Sequence, residues 1–368
     1  MRALVTGGAG FIGSHLVDRL LEKGYEVRII DSLEKPTHLD GKPKYLNEKA
    51  EFILGDICDE DCLKKSLEKV DVVFHLAAVG GFTGEITKYF NSNSVGTGKL
   101  FETIIKNKIP IKKIVVASSI AVYGEGKYFC EEHGNVYPKQ RVIENLEKKE
   151  WEQKCPTCGK EAKAIPTGEE KPVDPQSIYS ITKYDQEKTA ILLGKQHEIP
   201  VVALRYFVTY GPRQSITNPY TGICSIFSTR IMNDSPPIIY EDGLQSRDMI
   251  YVDDLVEANI LAMENSSANY QVFNVGTGKA VNVIEVAEKL ISLYGKNLTC
   301  EFNGNFREAD VRHLIADVGK IHEVLGFEAK HDFESGIKKY VEWIKGEKEI
   351  KDYFSEAQDE LKLKKIVK

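Results

Sequence analysis

Gly7, Gly10 and Gly13, in TGGAGFIGSHLVDRL, follow a short apolar run from Arg2 to Val5 and open an amphipathic stretch. Glycines at that spacing permit a tight strand-to-helix turn and let backbone N–H groups and the positive end of a helix meet a pyrophosphate. A glycine triplet alone describes many loops. Here a second apolar run, YEVRIID, ends in Asp31, 18 residues past Gly13, where a carboxylate would take the ribose hydroxyls of a dinucleotide. Such a carboxylate repels the 2′-phosphate of NADP, so NAD is the expected cofactor, with Lys35 close enough in sequence to soften that preference.

A second chemistry belongs to tyrosine and lysine four apart, which share a helix face and place an ammonium beside a phenol, favouring the phenolate. The chain has this spacing at Tyr45/Lys49, Tyr123/Lys127, Tyr179/Lys183 and Tyr184/Lys188. Tyr179/Lys183 stands apart because Ser177, in DPQS, offers a helix cap, and because a preceding run ending in ASS carries hydroxyls to a strand end. Tyr184, five residues on at ~100° each, faces about 140° away and cannot share the role.

The elements that must position these groups read as alternating apolar strands and amphipathic helices: RALV, EVRII, EFIL, VDVVFHLAA, KKIVVASS and IPVVALRYF. That alternation predicts an α/β protein with a Rossmann, doubly wound parallel sheet and a smaller α/β substrate-binding region toward the C-terminal side. Loops after Leu4, Ile30, Leu54, His75 and Ala117 should line the site, at the carboxyl ends of the strands. We divide the chain into a dinucleotide domain at 1–204, interrupted by an insertion at 125–172, with core strands returning in 247–278. The substrate region takes 205–246 and 279–345, and 346–368 is a charged helix or tail.

Composition narrows the partners. The formal net charge is −6, with no basic stripe for nucleic acid, and no apolar run approaches the ~20 residues of a membrane span. A soluble, cytoplasmic protein is expected. Seven cysteines, an odd number, fit reduced thiols and a metal better than a disulfide framework.

The segments TGGAGFIGSH, GDI, HLAA, ASSIAVYGEG, YSITK, LRYF-x-x-YGPRQ and RDMIYVDD together resemble the extended short-chain dehydrogenase/reductase family of nucleotide-sugar enzymes, over nearly the whole chain outside the insertion. The resemblance implies a Ser119, Tyr179, Lys183 triad, with Tyr179 and Lys183 also touching the cofactor. It implies NAD contacts from Gly7, Gly10, Phe11, Ile12, Gly13 and Asp31, adenine contacts from Asp56 and Ile57, a nicotinamide-ribose wall from Leu76, Ala77 and Ala78, and support from Asn93. Arg247 and Arg307 match the arginines that grip a nucleotide diphosphate in this family, with Arg213 as a third; a surface ion pair is the alternative for each. Family members that eliminate water carry an Asp-Glu pair beside the triad hydroxyl, whereas Ile120 and Ala121 follow Ser119 here. Hydride removal and return needs only the phenolate and the cofactor, so a nucleotide-sugar 4-epimerase is expected, with a dTDP-L-rhamnose-type or UDP-glucose/galactose-type substrate. Val208 stands where many members have a phosphate-binding Asn, which leaves sugar and base open. Members usually form homodimers through a helix bundle, here the Tyr179 helix and VGTGKLFETIIKN.

In the insertion, Cys130-x-x-His133 and Cys155-x-x-Cys158 form two ligand pairs 21 residues apart, a zinc-ribbon-like set of three thiolates and an imidazole. A polar segment of ~50 residues has little core, and structural zinc would supply folding energy. Unmetallated thiols with His133 at the surface are the alternative. The Cys-rich insertion, PQSIYSITKYDQE and NPYTG together resemble a subgroup described as dTDP-L-rhamnose 4-epimerases. Two other functions compete: an NAD(P)-dependent reductase or dehydrogenase that releases cofactor each turnover, and a non-catalytic NAD-binding scaffold that docks through the insertion.

Overall fold

The computed structural model describes the chain except residues 36, 40, 81–84, 218–221, 309, 348–349, 353, 355–357, 359–366 and 368. The NPYTG motif, apart from Gly222, and most of the expected tail therefore lie outside the described residues.

Seven parallel strands form the main sheet: β1 (Arg2–Thr6), β2 (Glu26–Asp31), β3 (Glu51–Leu54), β4 (Val72–His75), β5 (Lys113–Ser119), β6 (Val201–Tyr206) and β7 (Val272–Val275), in the order β3-β2-β1-β4-β5-β6-β7. The near-continuous apolar runs follow from burial on both faces. Ala3 and Val5 enter one core with Leu16, Val17 and Val115, while Leu4 enters the other with Val73, Leu100 and Ala190. Helix α1 (Phe11–Glu22) covers the first face; α2 (Gly96–Lys106) and α3 (Ile178–Gln196) cover the second. Strand order reverses between β1 and β4, and the crevice opens there at the carboxyl ends.

Within 247–278, where core strands are expected to return, YQVFNV does so as β7 beside β6. RDMIYV does not. Ser246–Tyr251 pairs with Val208–Tyr210, Ala280–Asn282 and His313–Leu314 in a separate four-stranded sheet. Met249 and Tyr251 bury in the core of this second sheet while Ile250 packs toward that of the main one, so the strand lies between the two. This second sheet packs with the helices Ile223–Met232, Val283–Tyr294 and Phe333–Lys345 around Tyr210, Phe227, Tyr251, Leu290 and Tyr340.

The insertion is a three-stranded antiparallel sheet, Gly134–Val136, Lys127–Cys130 and Lys163–Ile165, with a small core of Tyr128, Cys130, Val136, Cys155 and Ala162. The charged stretch QRVIENLEKKEWEQK is helical only over Ile143–Glu147. Arg141 and Glu152, at its two ends, are instead drawn into ion pairs with distant residues. No described helix is long and apolar enough to cross a membrane.

Candidate active site

β1 delivers the chain to a turn that only glycine can make. Gly7 has φ +70°, and a Cβ there would lie 2.9 Å from the backbone of Ala77; one on Gly13 would lie 2.2 Å from the Gly7 carbonyl. The turn that these close backbone approaches allow lines a cleft of about 660 Å³. Gly7, Gly10, Phe11, Ile12, Gly13, Asp31, Asp56, Ile57, Leu76, Ala77, Ala78, Tyr179 and Lys183 all line it, so the loops expected to frame the site do so. Asp31 ends β2 and accepts from the N–H groups of Ala9 (3.0 Å) and Leu33 (2.9 Å), which aims its carboxylate across the crevice and leaves acceptor capacity for a ribose. The cradle fits a dinucleotide.

Sequence reasoning missed a neighbour of Asp31. Buried His38 places Nε2 3.8 Å from Asp31 Oδ1, and burial depresses its pKa, so it stands there as neutral imidazole. No spacing rule marks a histidine in a polar loop seven residues after the carboxylate.

Helix α3 begins at a reciprocal capping box between Ser177 and Ser180, which fixes the start of its first turn. Tyr179 then sits half-buried at the cleft, with Tyr89 edge-on at 6.5 Å between ring centroids. Burial pushes its phenol pKa up, and a hydrogen bond from Ser119 pulls it back. Ser119 is the last residue of β5 and also accepts from Ala121 N–H at 3.1 Å. Lys183, one turn on, donates to the Ala117 carbonyl and to Gln186 Oε1 (2.8 Å). Burial pushes its pKa down to about 7, opposed by the Glu187 carboxylate. Tyr184 faces away and packs beside Val122 and Tyr123.

Behind Lys183 lies a buried polar chain that spacing did not reveal. Gln186 Nε2 donates to Thr97 Oγ1 (2.9 Å), and Thr97 donates to the Asn93 carbonyl (2.6 Å). Thr97 can therefore only accept from His75 Nε2 (2.9 Å), which leaves His75 Nδ1 to accept from Thr6 Oγ1 (2.9 Å), itself an acceptor for Ala77 N–H (3.1 Å). Every hydroxyl in the chain is satisfied in one direction only, and His75 is neutral, its pKa pushed down to about 3 by burial and by Lys183. Asn93, fully buried in a π-helical turn, bonds both backbone groups of Val79 and Thr182 Oγ1. It supports the cleft from beneath rather than lining it. A bidentate Arg205–Glu187 pair (2.7 and 2.9 Å), also bonded by Ser118, locks α3 to β5 and β6.

The expected substrate arginines have different surroundings. Arg247 donates to the carbonyls of Val311 (2.6 Å), Ser246 (2.8 Å) and Arg312 (3.2 Å). Arg307 lies over the Tyr240 ring at 5.2 Å, in the same 307–313 segment that holds Arg247. Arg213 pairs with Asp18 of α1 (2.7 Å) and stacks on Tyr45 (5.1 Å), the ion-pair alternative at this position.

In the insertion Cys130, His133, Cys155 and Cys158 converge, their ligand atoms all within 4.8 Å of one another. Cys130 Sγ is 3.6 Å from His133 Nδ1 and 3.7 Å from Cys158 Sγ; Cys155 Sγ is 3.7 Å from His133 Nδ1. Zn–S bonds of ~2.3 Å and Zn–N bonds of ~2.0–2.1 Å imply tetrahedral edges of about 3.6–3.8 Å, so the donor set fits that ion. Backbone N–H groups of Cys158 and Thr157 pull the Cys155 thiol down to about 6.

A doubly wound sheet with a glycine turn, a ribose-type carboxylate and a Ser/Tyr/Lys set on its carboxyl edge defines a dinucleotide-dependent enzyme of the short-chain dehydrogenase/reductase class. Residues 3–141 match the NAD dependent epimerase/dehydratase family, and residues 159–340 match GDP-mannose 4,6 dehydratase. The chain is 32% identical to the dTDP-L-rhamnose 4-epimerase of Burkholderia thailandensis over 360 residues, 95% of this chain and 97% of that one. It is similar in structure to the UDP-glucose 4-epimerase of Thermotoga maritima with UDP-glucose (TM-score 0.77, 32% identity, 94% and 99% of the two chains). The UDP-glucuronic acid 4-epimerase of Bacillus cereus, in complex with UDP-glucuronic acid and NAD, aligns with TM-score 0.76 at 28% identity over 94% and 99%. The protein belongs to the NAD-dependent epimerase/dehydratase family.

Proposed function

We propose that the protein is an NAD-dependent nucleotide-sugar 4-epimerase. The observation that carries this reading is Tyr179 at the cleft, hydrogen-bonded by Ser119, with Ile120 and Ala121 rather than carboxylates in the turn that follows. Gly7 to Gly13, Asp31, Asp56 and the Leu76–Ala78 wall would hold NAD, which when bound supplies a hydride acceptor and donor. Tyr179 takes the proton of the sugar 4-hydroxyl, and Ser119 holds that oxygen. Lys183, kept in place by Ala117 and Gln186, stabilises the phenolate. As Tyr179 takes that proton, the sugar C4 would give its hydride to bound NAD, and once the resulting 4-keto sugar had turned over that hydride would return to the opposite face while Tyr179 gives the proton back. An Asp-Glu pair is not needed for this cycle, whereas elimination of water would need an acid and a base that the turn lacks.

Arg247 and Arg307 are assigned to the diphosphate and the four-ligand cluster to structural zinc, while Arg213, paired with Asp18, takes the ion-pair alternative. All four of its ligands are protein groups, which closes the coordination sphere and makes the metal structural. We assign the protein to the cytoplasm, where thiolate ligands are kept reduced. Ile86, Phe90, Val95, Ile181 and Leu192 are large apolar side chains between 39% and 58% exposed, grouped on α3 and the segment entering α2, and support a homodimer through these helices. Incubation with a panel of UDP- and dTDP-hexoses, with products resolved by NMR, tests the reaction. Epimers formed at the sugar C4 without net NADH are expected, and stoichiometric NADH or a 4,6-eliminated product would overturn the reading.

A further inference from the structure

Two short arms of the insertion each carry a metal-cluster cysteine and, two residues earlier, a group that hydrogen-bonds Glu125. Tyr128 and Cys130 are both buried on one strand, and residues two apart on a strand share a face. Gln153 and Cys155, likewise buried, form the other arm. Tyr128 Oη donates to Glu125 Oε1 and Gln153 Nε2 to Glu125 Oε2, both at 2.9 Å. That one buried carboxylate also accepts the backbone N–H groups of Arg312 (3.0 Å) and His313 (3.1 Å). One step further, the carbonyls of Val311 and Arg312 hold the Arg247 guanidinium. Glu152, adjacent to Gln153, adds a second grip through Arg312 Nε (2.9 Å) and His313 Nε2 (3.1 Å).

We propose that the metal cluster positions the substrate arginine: an ion at Cys130, His133, Cys155 and Cys158 fixes the two arms on Glu125, and Glu125 fixes the 311–313 segment that aims Arg247. Glu125 is thus a positioning residue, and metal occupancy sets the affinity for a nucleoside diphosphate. This rests on the zinc and arginine assignments above. The dinucleotide cleft is spared because its glycine turn and Asp31 sit on β1 and β2, separated by β4 from the strand after which the insertion leaves.

The test uses full-length protein, with zinc measured by elemental analysis, bound NAD by release on denaturation, and UDP and dTDP affinities by calorimetry. Cys155→Ser with Cys158→Ser should lose the metal and weaken whichever nucleotide the wild type binds by about tenfold, the size of one charge-assisted hydrogen bond, with NAD retained. Gln153→Leu leaves all four ligands and should raise KM for the sugar nucleotide several-fold with kcat little changed. Nucleotide affinity unchanged in the metal-free variant, or NAD lost in parallel with it, overturns the coupling. Wild-type protein without zinc overturns the metal half of the proposal. Arg247→Met that binds nucleotide as wild type does overturns the arginine assignment beneath it.

Discussion

Burial raises the pKa of the Tyr179 phenol and the Ser119 hydrogen bond lowers it, while burial lowers that of the Lys183 ammonium and the Glu187 carboxylate raises it. The hydrogen bonds found for the Lys183 amine go to a carbonyl and an amide oxygen, which hold it in place without a directly bonded carboxylate. Tyr179→Phe removes the proton-transfer group and little volume, and should lower turnover by about 10³-fold or more with NAD still bound; wild-type-like turnover would rule out the mechanism. Asp31→Ala should weaken NAD more than NADP, since ribose acceptor and 2′-phosphate repulsion vanish together, and an equal fall in both affinities would count against its role. His75 has a folded pKa of about 3 against about 6.5 when unfolded. The unfolded chain therefore binds the extra proton between those values. The neutral His75 contribution is complete above pH 6.5 and is lost as pH falls toward 3, at about 1.4 kcal/mol per unit. Urea unfolding at pH 7 and pH 5 should show wild type losing about 2 kcal/mol more than His75→Asn; identical pH dependence would refute the buried neutral imidazole.

At the scale of elements, α3 does three things at once. Its capped start sets Tyr179, its inner face carries Lys183, Gln186 and Glu187 into the sheet, and its outer face leaves Ile181 and Leu192 exposed. Eleven residues at ~100° bring those two within about 20° of each other, which makes a stripe rather than scattered apolar residues. Leu192→Glu should convert the proposed homodimer to monomer in sedimentation at micromolar concentration. A wild type that is monomeric under the same conditions would remove the homodimer assignment.

Over the whole molecule, the main sheet and the second sheet have separate cores, and the insertion ties itself to residues of the 241–242 and 312–313 segments beside the second. Arg141 makes a bidentate pair with Glu241 at 2.7 and 2.8 Å, and fully buried Arg312 binds Glu152, Glu241 and Asp242. Because the insertion has so small a core of its own, metal removal should raise amide hydrogen exchange across 125–172 and leave β1 to β3 protected. Uniform deprotection of the whole chain, or no change in the insertion, would refute a structural metal.

What the sequence determined by itself was whatever depends on near neighbours. The glycine turn, Asp31 at the end of the next strand, the one-turn spacing of Tyr179 and Lys183 and the Ser177 cap are properties of φ/ψ, of period 3.6 and of strand alternation, and each is found where the spacing predicts. The two Cys-x-x pairs also announce themselves locally, and the fold only had to bring them together. Three-dimensional structure decided what depends on partners far along the chain. Glu125 meets His313 across 188 residues and Arg141 meets Glu241 across 100, and no spacing rule operates over such separations. The same holds for RDMIYV, whose partners in the second sheet come from 208–210, 280–282 and 313–314, and for His75, whose role exists only because Thr6 and Thr97 arrive from two different elements to satisfy it.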